Sequence, residues 1–426
     1  MVKILYKNCS IISPNIDPNI LQDLYVENGV IKDIGVNLFV ESAKTIEVES
    51  NLLMPGMIDM HCNICDPGFE NIERIETISQ AALRGGFTSI TSQPNTNPTV
   101  DNKTVVEYIV SKSKHSSIVN LYPYGSMSIG CKGIEMGEIG EMFAAGITAI
   151  SDGDCSIENA SLLRNIMLYA KMFDLPVVTH CEDRNLSGKG VINAGYMATK
   201  LGLIGMPKSA EETIVARNVV LAQETGTRLH ISHISTRASV QIVREAKKRG
   251  LQVTAETSPH YFLLTEDAVG DYNTLMKVNP PLRTQDDVEA ILEGLADGTI
   301  DVISSSHSPS SYRDKDMIFD QAVYGVSSLE TLLPLCYTHL VKKEIITLER
   351  LVELTSSTPA RILKLLDKGA IYKGKDADFI IVNTKTEYKI DPLQFVSKAK
   401  FSPFENEKVF GKVVIGVVGG KFHSFQ

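Results

Sequence analysis

The stretch Met54–Gly68, MPGMIDMHCNICDPG, decides how the rest of the chain reads. Its apolar run Met57–Met60 carries Asp59 and ends at His61, with Asn63 two positions further on. Side chains at i and i+2 of a strand share one face, so two imidazoles at such a strand end would aim at a single ion. Here one imidazole stands beside a neutral amide. The stretch therefore predicts the first strand of a barrel with a metal site at its mouth, and half of the expected pair is missing.

Working outward, short apolar runs alternate with amphipathic helical patterns from about Pro55 to Leu366, the mark of repeated βα units. The candidate strands are Met57–His61, Thr88–Thr91, Val119–Tyr122, Ala149–Asp152, Val177–His180, Arg228–His233, Gln252–Glu256 and Val302–Ser306. Eight such strands predict an α/β fold, a closed (β/α)8 TIM barrel whose functional groups sit at the strands' C-terminal ends. Both chain ends carry short β-type runs, Ile4–Tyr6 and Leu24–Val26 at one end, Phe379–Val382 and Val409–Val414 at the other. They predict a small β-sandwich built from residues 1–54 and 367–426, with residues 55–366 forming the barrel.

The 426 residues carry a formal net charge of -9, which speaks against a nucleic-acid partner, because phosphate binding needs clustered Lys and Arg. No apolar stretch approaches the roughly 20 residues that span a bilayer, and MVKILYKNCS lacks the apolar core of a signal peptide. Seven scattered Cys make no disulfide framework. The expectation is a cytoplasmic protein. Cys62 and Cys65 form a CxxC with no second pair to complete a zinc site, so chance spacing is the better reading.

Polar residues gather where the predicted strands end: His61, Asn95, Asp152, His180, His233 and the pair Ser306-His307. A lone His at a strand end is more often a hydrogen-bonded structural residue than a ligand. Three His and one Asp on the strand ends of one barrel point instead to a metal site, made of His61, Asp152, His180 and His233. His230, three positions before His233, faces away in a regular strand and reads as a buried, satisfied histidine. Ser308–Asp316, SPSSYRDKD, lacks periodicity and reads as a surface loop over the barrel mouth.

At this point the chain resembles a family. MPGMIDMH (54–61), GGFTSI (85–90), QPNTNP (93–98), THCED (179–183), LHISHIST (229–236), TAETSPH (254–260), KVNPPLR (277–283) and the closing SPF and GKV look like a dihydroorotase of the bacterial class I type, in the amidohydrolase superfamily. The resemblance implies a binuclear zinc centre that opens and closes the ring between N-carbamoyl-aspartate and dihydroorotate in pyrimidine synthesis. It implies that His61 is a ligand of one metal, Asp152 the bridge, and His180 and His233 ligands of the other, with Asn95 and Asn279 as substrate contacts.

Four positions depart from the family pattern. Asn63 stands for a ligating His, Ser306 for the Asp that ligates zinc and acts as general base, Ser310 for the last His of that motif, and Cys65 for an Arg that grips the substrate carboxylate. Neutral oxygens bind Zn²⁺ weakly, so at most one zinc is expected, and an empty site is an equal alternative. A serine hydroxyl is no base near neutral pH, and losing a general base typically lowers the rate roughly 10²–10⁴-fold. Cys65 offers no bidentate, charge-assisted grip on an anion. The expectation is an impaired or inactive homologue, for which the resemblance implies a role as structural partner of aspartate carbamoyltransferase in a homo- or hetero-oligomer. The alternative is an active zinc dihydroorotase with a mononuclear site, acting on a small anionic pyrimidine precursor, its base supplied by His307 or, less favourably, Asp154.

Overall fold

The computed structural model describes every residue except Met1, Asn15, Ser50 and Gln426. Eight parallel strands form one sheet: β1 (Met57–Asp59), β2 (Phe87–Ser92), β3 (Asn120–Ser126), β4 (Ala149–Ser151), β5 (Val177–Thr179), β6 (Leu229–Ile231), β7 (Val253–Thr257) and β8 (Val302–Ile303). Each strand follows its predecessor in space as in sequence, and a helix lies between each successive pair. Parallel neighbours need such crossovers, which bury both faces of the sheet and explain why the strands read as apolar runs. All eight predicted strands are present, in the predicted order.

The first and last strands meet at their C-terminal ends. Cys62 and His307 form a parallel bridge, Asn63 N donates to His307 O at 2.9 Å, and Ser305 N donates to Asp59 Oδ1 at 2.8 Å. Asp59 is fully buried, and burial pushes its carboxyl up to about 7 against the opposing hydrogen bonds from Ser305. This closure places residues 61–65 beside residues 304–310, so the two most altered motifs of the sequence share one rim.

The chain ends share a second eight-stranded sheet, in which Leu52–Pro55 pairs with Lys3–Ile11 on one side and Phe379–Asn383 on the other. Strand alternation joins it to the barrel. Phe379 and Ile381 pack with Tyr6, Leu24 and Leu53 in the sheet's own core, whereas Ile380 and Val382 pack with Met54 and Met57 in the main core. Among the described residues, no helix is long and apolar enough to cross a membrane.

The segment after β8 is exposed at Ser311, Tyr312, Arg313 and Asp316, as its reading as a surface loop expects, but it is anchored from beneath. Lys315 is only 1% exposed, and its Nζ donates to Lys277 O at 3.2 Å. Lys277 Nζ in turn donates to Phe319 O at 2.6 Å and Asp320 O at 3.1 Å. Burial drives the Lys315 ammonium down to about 7, with Lys277 adding to the effect. Two long side chains thus pin residues 312–320 to the segment 274–277, a tertiary arrangement that polar composition alone does not disclose. The anchored segment brings Tyr324 and Gly325 to the barrel mouth.

Candidate metal centre and mouth cavity

His61 lies just beyond β1, buried, with Nδ1 3.0 Å from Glu256 Oε1. Glu256 comes from β7 and is completely buried, with Oε2 3.4 Å from His230 Nε2. Burial alone would raise this carboxyl, but the His230 and His61 imidazoles beside it outweigh that and hold the pKa well below the usual range. Burial likewise opposes a charge on His61, and the Glu256 carboxylate overcomes it and raises the imidazole's pKa. A carboxylate on one ring nitrogen fixes the tautomer, leaving Nε2 as the atom that can face a cation. His230 is buried, as the sequence suggested, and its Nδ1 lies 2.8 Å from Thr254 Oγ1; it is not fully satisfied, because Nε2 faces Glu256 at 3.4 Å without a hydrogen bond.

His233 follows β6 with φ +35°, a backbone conformation uncommon outside glycine. Its Nε2 is 3.2 Å from His180 Nδ1, and its buried Nδ1 has no hydrogen-bond partner. Burial, reinforced by the neighbouring His61 and His180, drives its pKa well below the ordinary histidine value, so the ring keeps a free lone pair. The ring centroids of His61 and His180 each lie 4.9 Å from that of His233. His180 Nε2 is also 3.0 Å from Glu182 Oε2. Glu182 further accepts from Asn279 Nδ2 at 2.9 Å and Ser187 Oγ at 2.6 Å; burial would raise its carboxyl, but these contacts, His180 foremost, hold it down to about 2.

Asp152 does not join this cluster. Its Oδ1 accepts from Met127 N at 2.7 Å and Ser128 N at 2.9 Å, and its Oδ2 from Ser128 Oγ at 2.5 Å. Its lone pairs are committed to the turn after β3, and burial pushes its pKa up to about 6 despite these bonds. The expected bridging ligand is thus a structural acceptor. The chain turns at Gly153, φ +59°, and presents exposed Asp154 instead. Ligand atoms of His61, Asp154 and His233 all lie within 4.8 Å of one another. His180 is adjacent but outside that group, both of its nitrogens being engaged. Two imidazoles and a carboxylate suit one borderline divalent cation, and the orphaned Nδ1 of His233 is a buried lone pair that such a cation would satisfy.

Above the three donors lies a cavity of about 120 Å³, lined among others by Asn63, Asn279, Ser306 and Tyr324. Ser306 has φ +50° and its Oγ lies 2.8 Å from Ser258 Oγ. Asn63 Nδ2 donates to Ser308 Oγ at 3.2 Å, while its Oδ1 has no partner. Asn95, expected to touch substrate, is exposed beside Gly153 and lies outside the residues lining this cavity. Cys65 is half-buried with Sγ 3.8 Å from Asn63 O, and burial pushes its thiol up to about 12, which favours the neutral thiol. Ser310 is buried with an unpartnered hydroxyl. His307 is fully buried, accepts at Nδ1 from Ser328 N at 3.2 Å, and is held neutral by burial, its pKa driven down to about 3. It lies outside the residues that line the cavity, although its sequence position suggested a substitute base.

With this geometry in view, similarity to known proteins is decisive. The chain is 45% identical over 416 residues to a dihydroorotase of Acetivibrio thermocellus, covering 98% of this chain and 97% of that one. The chain belongs to the dihydroorotase family. A dihydroorotase of Caldanaerobacter subterraneus is 44% identical over 399 residues, covering 94% of this chain and 92% of its own. The "Dihydro-orotase-like" family profile matches residues 50–239. Among solved structures, an L-hydantoinase from Arthrobacter aurescens superposes with a TM-score of 0.90 at 27% identity, covering 100% of this chain and 96% of that one. A dihydropyrimidinase from Brevibacillus agri, 21% identical with a TM-score of 0.87 and covering 99% and 95%, shares the fold.

Within this dihydroorotase-family site, sequence reading missed three carboxylates. Asp154 was weighed only as a base, and Glu256 and Glu182 only as parts of motifs. A signal for Glu256 existed: an acidic residue in an otherwise apolar central strand must find partners, and buried His61 and His230 are those partners.

Proposed function

We propose that this chain is a dihydroorotase homologue whose mouth holds at most one divalent cation, zinc by its donor chemistry, and whose ring hydrolysis is strongly impaired. One observation carries the reading: Ser306, at the rim where a carboxylate would move protons, is a hydroxyl hydrogen-bonded to Ser258. A bound cation would polarise a ring carbonyl and acidify a water. The chain's own part is to orient His61 through Glu256 and His233 through His180, and to hold the ring amide against Asn279. No strong base at Ser306 takes the proton that ring opening releases.

A barrel preserved strand for strand around an altered cavity fits a role as scaffold, and the partner we assign is aspartate carbamoyltransferase, in a mixed oligomer. The position of Asp154 favours one second reading, a slow mononuclear enzyme in which that carboxylate serves both as ligand and as base. Metal analysis combined with a dihydroorotate turnover assay separates the two. The expected result is no more than one zinc per chain and turnover near background. Sedimentation with aspartate carbamoyltransferase should give a stable complex, and two free species would overturn the partner assignment.

A further inference from the structure

Two buried amide oxygens are left without partners at the mouth. Asn279 Nδ2 donates to the Glu182 carboxylate at 2.9 Å, which fixes the amide orientation and leaves buried Oδ1 without a partner. Asn63, 8% exposed, likewise has an unpartnered Oδ1 while its Nδ2 donates to Ser308 Oγ. Asp154 adds a carboxylate to the same lining.

No Lys or Arg is among the described residues that line the cavity. The nearest cationic side chains in sequence are committed elsewhere. Lys277 Nζ is held by two backbone carbonyls beneath the Tyr324 ring, 4.8 Å from its centroid. Arg283 binds Ser235 Oγ at 3.0 Å and Asn193 Oδ1 at 2.9 Å, with Glu211 3.7 Å away. Cys65, where the family resemblance places a guanidinium, is neutral.

We infer that this cavity takes an uncharged cyclic ureide or imide, whose ring N–H groups donate to Asn63 Oδ1 and Asn279 Oδ1, and discriminates against the same ring carrying a carboxylate. The physical basis is complementarity. Such a ring brings the donors that two orphaned buried acceptors lack. A carboxylate would instead enter beside Asp154 with no Lys or Arg to grip it, and like charges brought together in a partly dry site oppose binding. The inference rests on the proposed reading of this cavity as the ring site, and it adds which ring.

The test compares 5,6-dihydrouracil with dihydroorotate, the same ring without and with a carboxylate. Both are titrated calorimetrically into the full chain, with and without one equivalent of Zn²⁺, and turnover of each is followed in parallel. Dihydrouracil should bind roughly tenfold or more tightly than dihydroorotate. Asn279→Ala and Asn63→Ala should each weaken dihydrouracil, and Cys65→Arg should shift the preference toward dihydroorotate. Equal or tighter binding of dihydroorotate, or binding of neither ring, overturns the inference. Hydrolysis of dihydrouracil would uphold the ligand class while overturning the impaired chemistry. Rapid hydrolysis of dihydroorotate would overturn both, and tight but unproductive dihydroorotate binding would overturn the ligand class alone.

Discussion

Glu256 Oε1 lies 3.0 Å from His61 Nδ1 at the closed centre of the barrel, with neither side chain open to solvent. This pairing determines which nitrogen His61 presents to the mouth. Replacing the carboxylate by an amide keeps the shape and removes the charge. Glu256→Gln should lower divalent-cation affinity about 10–100-fold, the usual effect of losing a carboxylate behind a ligating imidazole. Cobalt titration followed by its visible absorption measures this directly, with far-UV circular dichroism checking that the fold persists. Unchanged affinity in a folded variant would remove Glu256 from the site.

Asp152 and Asp154 should separate cleanly. Asp154→Asn alters an exposed side chain and should change stability by no more than about 0.5 kcal/mol. It should weaken cation binding roughly tenfold or more, since a neutral oxygen is a poor ligand. Asp152→Ala strips the acceptor from two buried backbone N–H groups and should destabilise the fold by about 2 kcal/mol or more. Urea unfolding and cation titration of both variants check the pair. Loss of cation binding in a folded Asp152 variant would restore that residue to the ligand set.

Ser306→Asp returns a carboxylate to the rim. The backbone there already sits at φ +50°, a region Asp tolerates well, so the substitution introduces no new strain. If the missing base limits the chemistry, dihydroorotate turnover with zinc present should rise by roughly 10²-fold. A folded, zinc-loaded variant that stays at background would place the defect elsewhere in the cavity.

His307 makes stability depend on pH. Burial holds its native pKa near 3, below the ordinary histidine value, so the unfolded chain binds the extra proton first on acidification. The unfolded state then binds more protons, and the His307 contribution to stability is lost as pH falls from about 6.5 toward 3. His307→Asn keeps an acceptor for Ser328 N and removes the titration. The unfolding free energy of the variant should fall less steeply across that window than that of the parent, and parallel profiles would contradict the assignment.

Much of the architecture was legible in the chain. Eight apolar runs at βα spacing fixed the barrel because parallel strands buried on both faces must be apolar, and their crossover helices must be amphipathic. That His61 and His233 would meet at the mouth was legible because strand ends converge on one rim in this fold. The loss at Asn63, Ser306 and Cys65 was visible as chemistry, since an amide, an alcohol and a thiol differ from the groups they replace wherever they sit.

Tertiary structure decided the rest. Asp152 and Asp154 are two positions apart and chemically identical, and only the turn at Gly153 and the donors on Met127 and Ser128 distinguish a structural acceptor from a candidate ligand. Glu256 meets His61 across 195 positions of sequence, and Lys315 meets Lys277 across 38. Periodicity reports which side of its own strand or helix a residue faces. Which distant residue waits there is set by closure of the barrel and by the requirement that each buried charge find a partner.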